Sequence, residues 1–211
     1  DELARLVDPN LVPIQHENKP MYPQGAAHRD FVHSLAFSSD GNLLASGGYR
    51  VVKLWQRLRN VQSLKIASPN AVTAVVVSPD RKSIAFGSAD NTISISNLAD
   101  GKVVKTLSGH SGQVTGLQFS SDGSKLFSSS LDKSIRVWNV ADGKQLGQFT
   151  TPSPVNDLAL NKDETQVVSA GADNLLRVWK VPAEGEAATK PTLEIKGHTK
   201  AVTSVELILP A

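Results

Sequence analysis

The 211-residue chain contains no cysteine. Disulfides, thiolate nucleophiles, cysteine-zinc sites and covalent haem attachment are therefore excluded within it, and the redox compartment stays open. Aromatic residues make up only 5%, too few for the base-stacking platforms of a nucleic-acid surface. No run approaches the roughly 20 apolar residues that a membrane-spanning helix needs. An excess of one charge is also missing. Lys and Arg number 22 against 20 Asp and Glu, and the net charge of +2 gives no reason to expect nucleic acid. What is present, 40% hydrophobic and 20% charged residues, suits a soluble globular protein of one or two domains. The first residue is Asp1 rather than Met, which implies processing or excision. No signal peptide is visible, and cytoplasmic and extracytoplasmic locations are both open.

A repeat organises the chain. Asp40, Asp80, Asp122 and Asp163 are spaced by 40, 42 and 41 residues. Val32, Val72, Val114, Val155 and Val202 keep the same offset, as do Trp55, Ser96, Trp138 and Trp179. Each block opens on an apolar run such as Val114-Thr115-Gly116-Leu117-Gln118-Phe119. A turn such as Ser121-Asp122-Gly123 follows, its side chains suited to bonding the backbone and to positive φ. A second run ends in small residues, and a third, such as Ser134-Ile135-Arg136-Val137-Trp138, alternates with period two, which indicates strand. Asp100-Gly101 and Asp142-Gly143 are hairpin signals leading into a fourth run. Four antiparallel strands in about 41 residues, repeated in series, predict an all-β fold, a β-propeller of about four complete blades plus a partial fifth. The blades are expected at 28–66, 67–107, 108–149, 150–196 and, in part, 197–211. Residues 1–27 precede them as an irregular segment, with Leu11-Val12-Pro13-Ile14 as an edge strand.

From Ala27 to Leu209, nearly nine-tenths of the chain, these blocks resemble the Trp-Asp (WD) repeat proteins. Gly109-His110, Ser120-Ser121-Asp122-Gly123, Leu126 to Asp132 and Ile135-Arg136-Val137-Trp138-Asn139 form an almost complete repeat of that family. None of the blocks spells Trp-Asp; Trp55-Gln56, Ser96-Asn97, Trp138-Asn139 and Trp179-Lys180 stand there instead. The resemblance implies a buried hydrogen-bonded chain of His, Ser, Asp and Trp that locks loops at one end of each blade. His110, Ser128, Asp132 and Trp138 form the complete set. Ser169, Asp173 and Trp179 form a partial one, with Thr151 where His would stand. Ser46, Trp55 and His28 belong to the first block, Asp90 alone to the second and His198 to the fifth. The second block has Ser68, Phe86 and Ser96 in the His, Ser and Trp positions and is expected to open most easily. Ser, His and Asp also raise a nucleophilic triad, but recurrence with the blade period and inclusion of Trp favour structure over catalysis.

The same resemblance implies that ligands meet the end carrying the fourth-to-first and second-to-third strand loops. Phe31, Tyr49, Arg50, Leu131 and Lys200 are the candidate partner-binding residues there. Lys53, Arg136 and Arg177 align across blades as outward members of alternating strands. The five histidines have no metal-ligand spacing, and no phosphate-binding glycine loop is present, so neither metal nor cofactor is expected. Pro182 to Pro191 is read as a solvated insertion in the fourth block, and Val202 to Leu209 as the inner strand of the fifth. The expected function is a non-catalytic scaffold for a protein or peptide, with self-association completing the ring. Two other readings stay open. The chain is similar to bacterial-type WD proteins in which repeats accompany an enzyme or haem domain, and a loop face could take a small molecule or glycan.

Overall fold

The computed structural model describes residues 11–13, 15–16, 19–20, 32–39, 43–48, 51–57 and 65–207. All regular structure among them is β. The first blade comprises Ser34–Phe37, Leu43–Gly48, Val51–Arg57 and Lys65–Ala67. The second comprises Val72–Val77, Ser83–Ser88, Ile93–Asn97 and Val103–Leu107. The third comprises Val114–Phe119, Lys125–Ser130, Ser134–Asn139 and Gln145–Thr150. The fourth comprises Val155–Leu160, Gln166–Gly171, Leu176–Lys180 and Leu193–Ile195. Within each blade consecutive strands pair antiparallel. The first strands of neighbouring blades contact one another, so they form the inner wall of a β-propeller.

Three buried clusters sit between successive blades. Val52, Leu54 and Ile66 of the first blade meet Val72, Val75, Ile84 and Phe86 of the second. Ile93, Ile95 and Leu107 then meet Val114, Leu126 and Trp138. Phe127, Ile135 and Phe149 meet Val155, Leu158, Val167 and Trp179. The second and third sheets are thus covered on both faces, and where neighbouring blades approach most closely the second strands carry glycine. A Cβ on Gly87 would lie 2.6 Å from Cγ1 of Val114, and one on Gly47 would lie 2.8 Å from Cγ1 of Val72.

Polar bonds repeat at the same junctions. Thr73 Oγ1 donates to the carbonyl of Val114, at 2.5 Å, and Thr115 Oγ1 to that of Val155, at 2.7 Å. Asn156 Nδ2 donates to Val202 at 2.8 Å. The donor is always the second residue of an inner strand, and the acceptor is the recurring Val of the next block. Such bonds set the angle between blades because a misplaced blade would leave a largely buried carbonyl without its donor.

Turn chemistry explains the chain reversals. Asp80 and Asp122 each accept a hydroxyl bond, from Ser78 and Ser120, and a backbone N–H, from Lys82 and Ser124. Arg81, Gly123 and Glu164 occupy one turn position, all with positive φ; Asn91, Lys133 and Asn174 share another. In the third-to-fourth hairpins, Asn97 and Asn139 accept the N–H groups of Ala99 and Ala141. In the second and third blades Asn therefore does the hairpin work of the terminal Asp of the repeat.

Three expectations need correction. Pro182 to Pro191 is not simply solvated. Ala187–Ala188 lies parallel to Gln145–Thr150 on the outside of the third blade, and Ala188 and Val181 pack against its core. The small side chains and Gly147, close to Pro182, permit that approach. Val202 onward carries no strand through residue 207. Val202 docks on Gly171, and Asp157 accepts bonds from Ser204 and Val205, but the described residues provide no second strand with which a fifth inner strand could pair. Finally, Lys53 and Arg177 are buried rather than outward. Leu11–Pro13 pairs antiparallel with Val51–Arg57 on its outer side.

Candidate functional site

The third blade brings His110, Ser128, Asp132 and Trp138 into one chain of contacts. His110 Nδ1 lies 2.8 Å from Asp132 Oδ2, and its Nε2 lies 2.7 Å from Ser128 Oγ. The Trp138 indole donates to the same Ser128 oxygen at 2.8 Å. The backbone N–H of Ser111 and the side chain and N–H of Ser134 complete the carboxylate's partners. Side-chain exposure is 1% for His110 and 4% for Asp132, and Ser128 is fully buried. Burial works against the Asp132 charge, but the bonds from His110, Ser134 and Ser111 outweigh it and hold this carboxyl below the usual range.

Other blades solve the same problem with different groups. In the fourth, Trp179 donates to Ser169 at 2.9 Å, but Asp173 turns to Arg177, whose guanidinium grips it at 3.1 and 2.6 Å. Arg177 also reaches Glu194 at 2.8 Å, so its burial is matched by two carboxylates. The Arg177 bond is the main reason that the Asp173 carboxyl sits low. In the second blade Asp90 accepts from Asn70, Thr92 Oγ1 and the Thr92 N–H. Phe86 fills the space that Ser occupies elsewhere, and the Ser96 hydroxyl, at the Trp position, is buried without a partner.

Ser46 is buried on the second strand of the first blade. The side chain of Trp55 and the whole of His28 lie outside the described residues, as do Phe31, Tyr49 and Arg50. His198 is exposed and does not join a network of the kind seen at His110. Leu131 and Lys200 are both exposed. Backbone bonds from Ala89 to Ala71, Leu131 to Gln113 and Ala172 to Pro154 tie the two loops of the second, third and fourth blades together at this end.

Ser134 and Arg177 are the participants that sequence reading missed. A hydroxyl two residues after the Asp, in Asp90-Asn91-Thr92 and Asp132-Lys133-Ser134, was the available signal for Ser134. For Arg177 the signal was weaker: a His position taken by Thr151, with an Arg four residues after Asp173.

A model of the WD domain, G-beta repeat (WD40), matches residues 22–56, 59–96, 101–139 and 143–180. The chain belongs to the WD40 repeat family. Among its WD40 relatives, protein tipD of Dictyostelium discoideum is 32% identical over 126 residues, covering 53% of this chain and 21% of that protein. Autophagy-related protein 16 of Arabidopsis thaliana is 29% identical over 187 residues, covering 86% and 35%. The ribosome biogenesis protein ytm1 of Neurospora crassa is 46% identical over 48 residues, covering 20% and 10%. The chain thus spans between about a tenth and a third of these relatives. All three are eukaryotic, and they give no support to a bacterial type of WD40 protein.

Chemically, the set in the third blade is closed. In a neutral imidazole that donates Nδ1–H to Asp132, Nε2 accepts the Ser128 proton while the Ser128 oxygen accepts the indole N–H. Both sides of the hydroxyl are then engaged, and no approach to a substrate carbonyl exists at a fully buried oxygen.

Proposed function

We propose that this chain is a non-catalytic interaction scaffold, a run of WD40 blades whose loops meet a protein or peptide partner. The sealed Ser128–His110–Asp132 set carries the reading. The side chains best suited to nucleophilic chemistry are spent on holding the Gly109 to Ser111 and Leu131 to Ser134 loops. Leu131 and Lys200 are among the exposed residues at that end, with Phe31, Tyr49 and Arg50 in the corresponding loops of the first block by sequence. Aromatic, Arg and large apolar residues on rigid loops are what a protein interface uses as anchors. The relatives support the same coarse role, since autophagy and ribosome biogenesis are named for proteins that share this repeat.

Self-association is part of the proposal. Val32 and, on the first inner strand, Leu35 and Phe37 are exposed, whereas Val72, Val75 and Val77 of the next are buried by the blade before them. A second copy would cover that face, and light scattering should report a mass above the monomer.

The functional test places a photo-crosslinking amino acid at Leu131 and, separately, at Arg81 in the opposite turns. Partner adducts should form at Leu131 and not at Arg81. Substrate turnover that survives in the folded parent and vanishes in Ser128→Ala would overturn the scaffold reading.

A further inference from the structure

The outer strand of the second blade ends its sheet, and no further described strand lies against it. It reads Lys102-Val103-Val104-Lys105-Thr106-Leu107, and Val103 and Val104 are 49% and 58% exposed. The third blade shows what such an edge accepts. Its outer strand is shifted by the same bulge, so Val104 corresponds to Leu146 and Thr106 to Gln148. There the chain's own segment Pro182 to Ala188 lies along the edge. The Gly185 N–H donates to the Leu146 carbonyl at 2.6 Å, and the Gln148 N–H donates to the Glu186 carbonyl at 3.4 Å. Leu146, Val181 and Ala188 then pack together against the core.

The second blade lacks this cover for a topological reason. The residue corresponding to Val181 is Val140, and after it the chain turns at once through Ala141-Asp142-Gly143 instead of running along the neighbouring edge. Val104 is left in solvent, and its carbonyl and the Thr106 N–H hold the outward positions that Leu146 and Gln148 use for pairing.

We infer that the edge Val103–Leu107 is a β-addition site for an extended peptide of small and acidic residues, lying parallel to the strand as Ala187–Ala188 does on the third blade. Two observations set the chemistry. The covering segment of the third blade, Pro182-Ala183-Glu184-Gly185-Glu186-Ala187-Ala188, is of this composition. At the open edge, Lys102, largely exposed and 3.4 Å from Asp100, and Lys105, whose ammonium donates to the Ala141 carbonyl, bracket the two exposed valines, and this cationic rim favours peptide carboxylates that take over those contacts. Main-chain bonds supply the affinity and the valines the register. This surface lies on the blade's outer edge, away from the loop end, so it can fail while the loop reading stands, and the reverse.

The test adds a synthetic peptide, Val-Pro-Ala-Glu-Gly-Glu-Ala-Ala-Thr, to the full chain and follows backbone amides by NMR. Saturable binding is expected, with slowed exchange at Thr106. Val104→Asp, at an exposed site, and Thr106→Pro, which removes an outward N–H that an edge strand can spare, should each weaken binding at least about tenfold. Both variants should keep the parent's circular dichroism and melting profile. Replacing the two peptide glutamates by glutamine should weaken binding about threefold at low salt. Shifts at Gln148 in place of Thr106 would mean that the peptide merely displaces the chain's own insertion. That result, or absence of shifts at millimolar peptide, overturns the inference and leaves Lys102 and Lys105 as residues that keep a bare edge from pairing.

Discussion

Replacing Ser128 by alanine removes a single oxygen that serves two buried partners. The Trp138 N–H, 2.8 Å away, loses its acceptor, and the His110 Nε2, 2.7 Å away, loses its hydroxyl. Each buried group left without a partner costs about 1–3 kcal/mol, so Ser128→Ala should destabilise the chain by about 2–6 kcal/mol. Ser169→Ala at the equivalent place in the fourth blade orphans mainly the Trp179 N–H, because Thr151 takes the His position and Asp173 is held by Arg177 instead. Its cost should be about 1–3 kcal/mol. At about 2–4 °C per kcal/mol for a chain of this size, the two variants should melt several degrees apart, Ser128→Ala lower. Urea unfolding followed by indole fluorescence would measure both. A cycle with His110→Ala should show that the Ser128 loss shrinks by about 1 kcal/mol once the imidazole is gone. Equal costs for the two serines, or full additivity in the cycle, would refute the reasoning that one hydroxyl joins His to Trp.

Further outcomes follow from other contacts. Asp132 and Asp173 have folded-state pKa values below the unfolded value, and Asp122 is lowered to about 2, chiefly by the Ser120 hydroxyl. Their stabilisation is therefore complete above the unfolded carboxyl pKa and is lost as pH falls from about 4 through the lowered values; Asp132→Asn should flatten that acid limb in melts taken from pH 6 to pH 2. Gly87→Ala forces a Cβ to within 2.6 Å of Val114 and should cost about 1–3 kcal/mol in urea unfolding, whereas Ala at the exposed Gly185 would strain only the local φ. Lys133 holds φ 65, so Lys133→Gly should raise stability by about 0.5 kcal/mol in the same assay. Arg177→Met leaves Asp173 and Glu194 without their cation and should lower the melting temperature, more at pH 7 than at pH 4, where the carboxylates begin to protonate. Amide exchange should find the second blade opening before the third, since Asp90 there has no imidazole and Ser96 is buried without a partner.

The propeller was legible because its signal is redundant. Period-two alternation, turn residues and a repeat near 41 residues all point to the same sheets, and the recurring Val positions lie at the blade junctions where the clusters form. The complete network of the third blade was legible for a related reason, since its members recur with the blade period. Substitutions inside the network were not. The Arg four residues after Asp173 is only a weak sign that Arg177 would leave the solvent side of an alternating strand to bind that carboxylate, and its second partner, Glu194, arrives from a strand beyond the insertion. The insertion itself reads as a polar loop on composition. Its docking depends on Gly147 and Leu146, forty residues earlier, being accessible on an outer edge. Val202 shows a further limit. Its apolar neighbourhood spells a strand, yet strand structure requires a partner, and Gly171 and Asp157 hold the segment in its place.

The central claim is that buried His, Ser, Asp and Trp side chains hold loops at one end of the blades and do no chemistry. Site-resolved amide exchange on the parent chain and on Asp132→Ala tests it most directly. Exchange should quicken at the Ser111 and Ser134 amides, which lose their carboxylate acceptor, and stay unchanged at Lys82 and Ser124 in turns at the opposite end. Unaltered exchange at Ser111 and Ser134, or quickening spread evenly through all four blades, would contradict it.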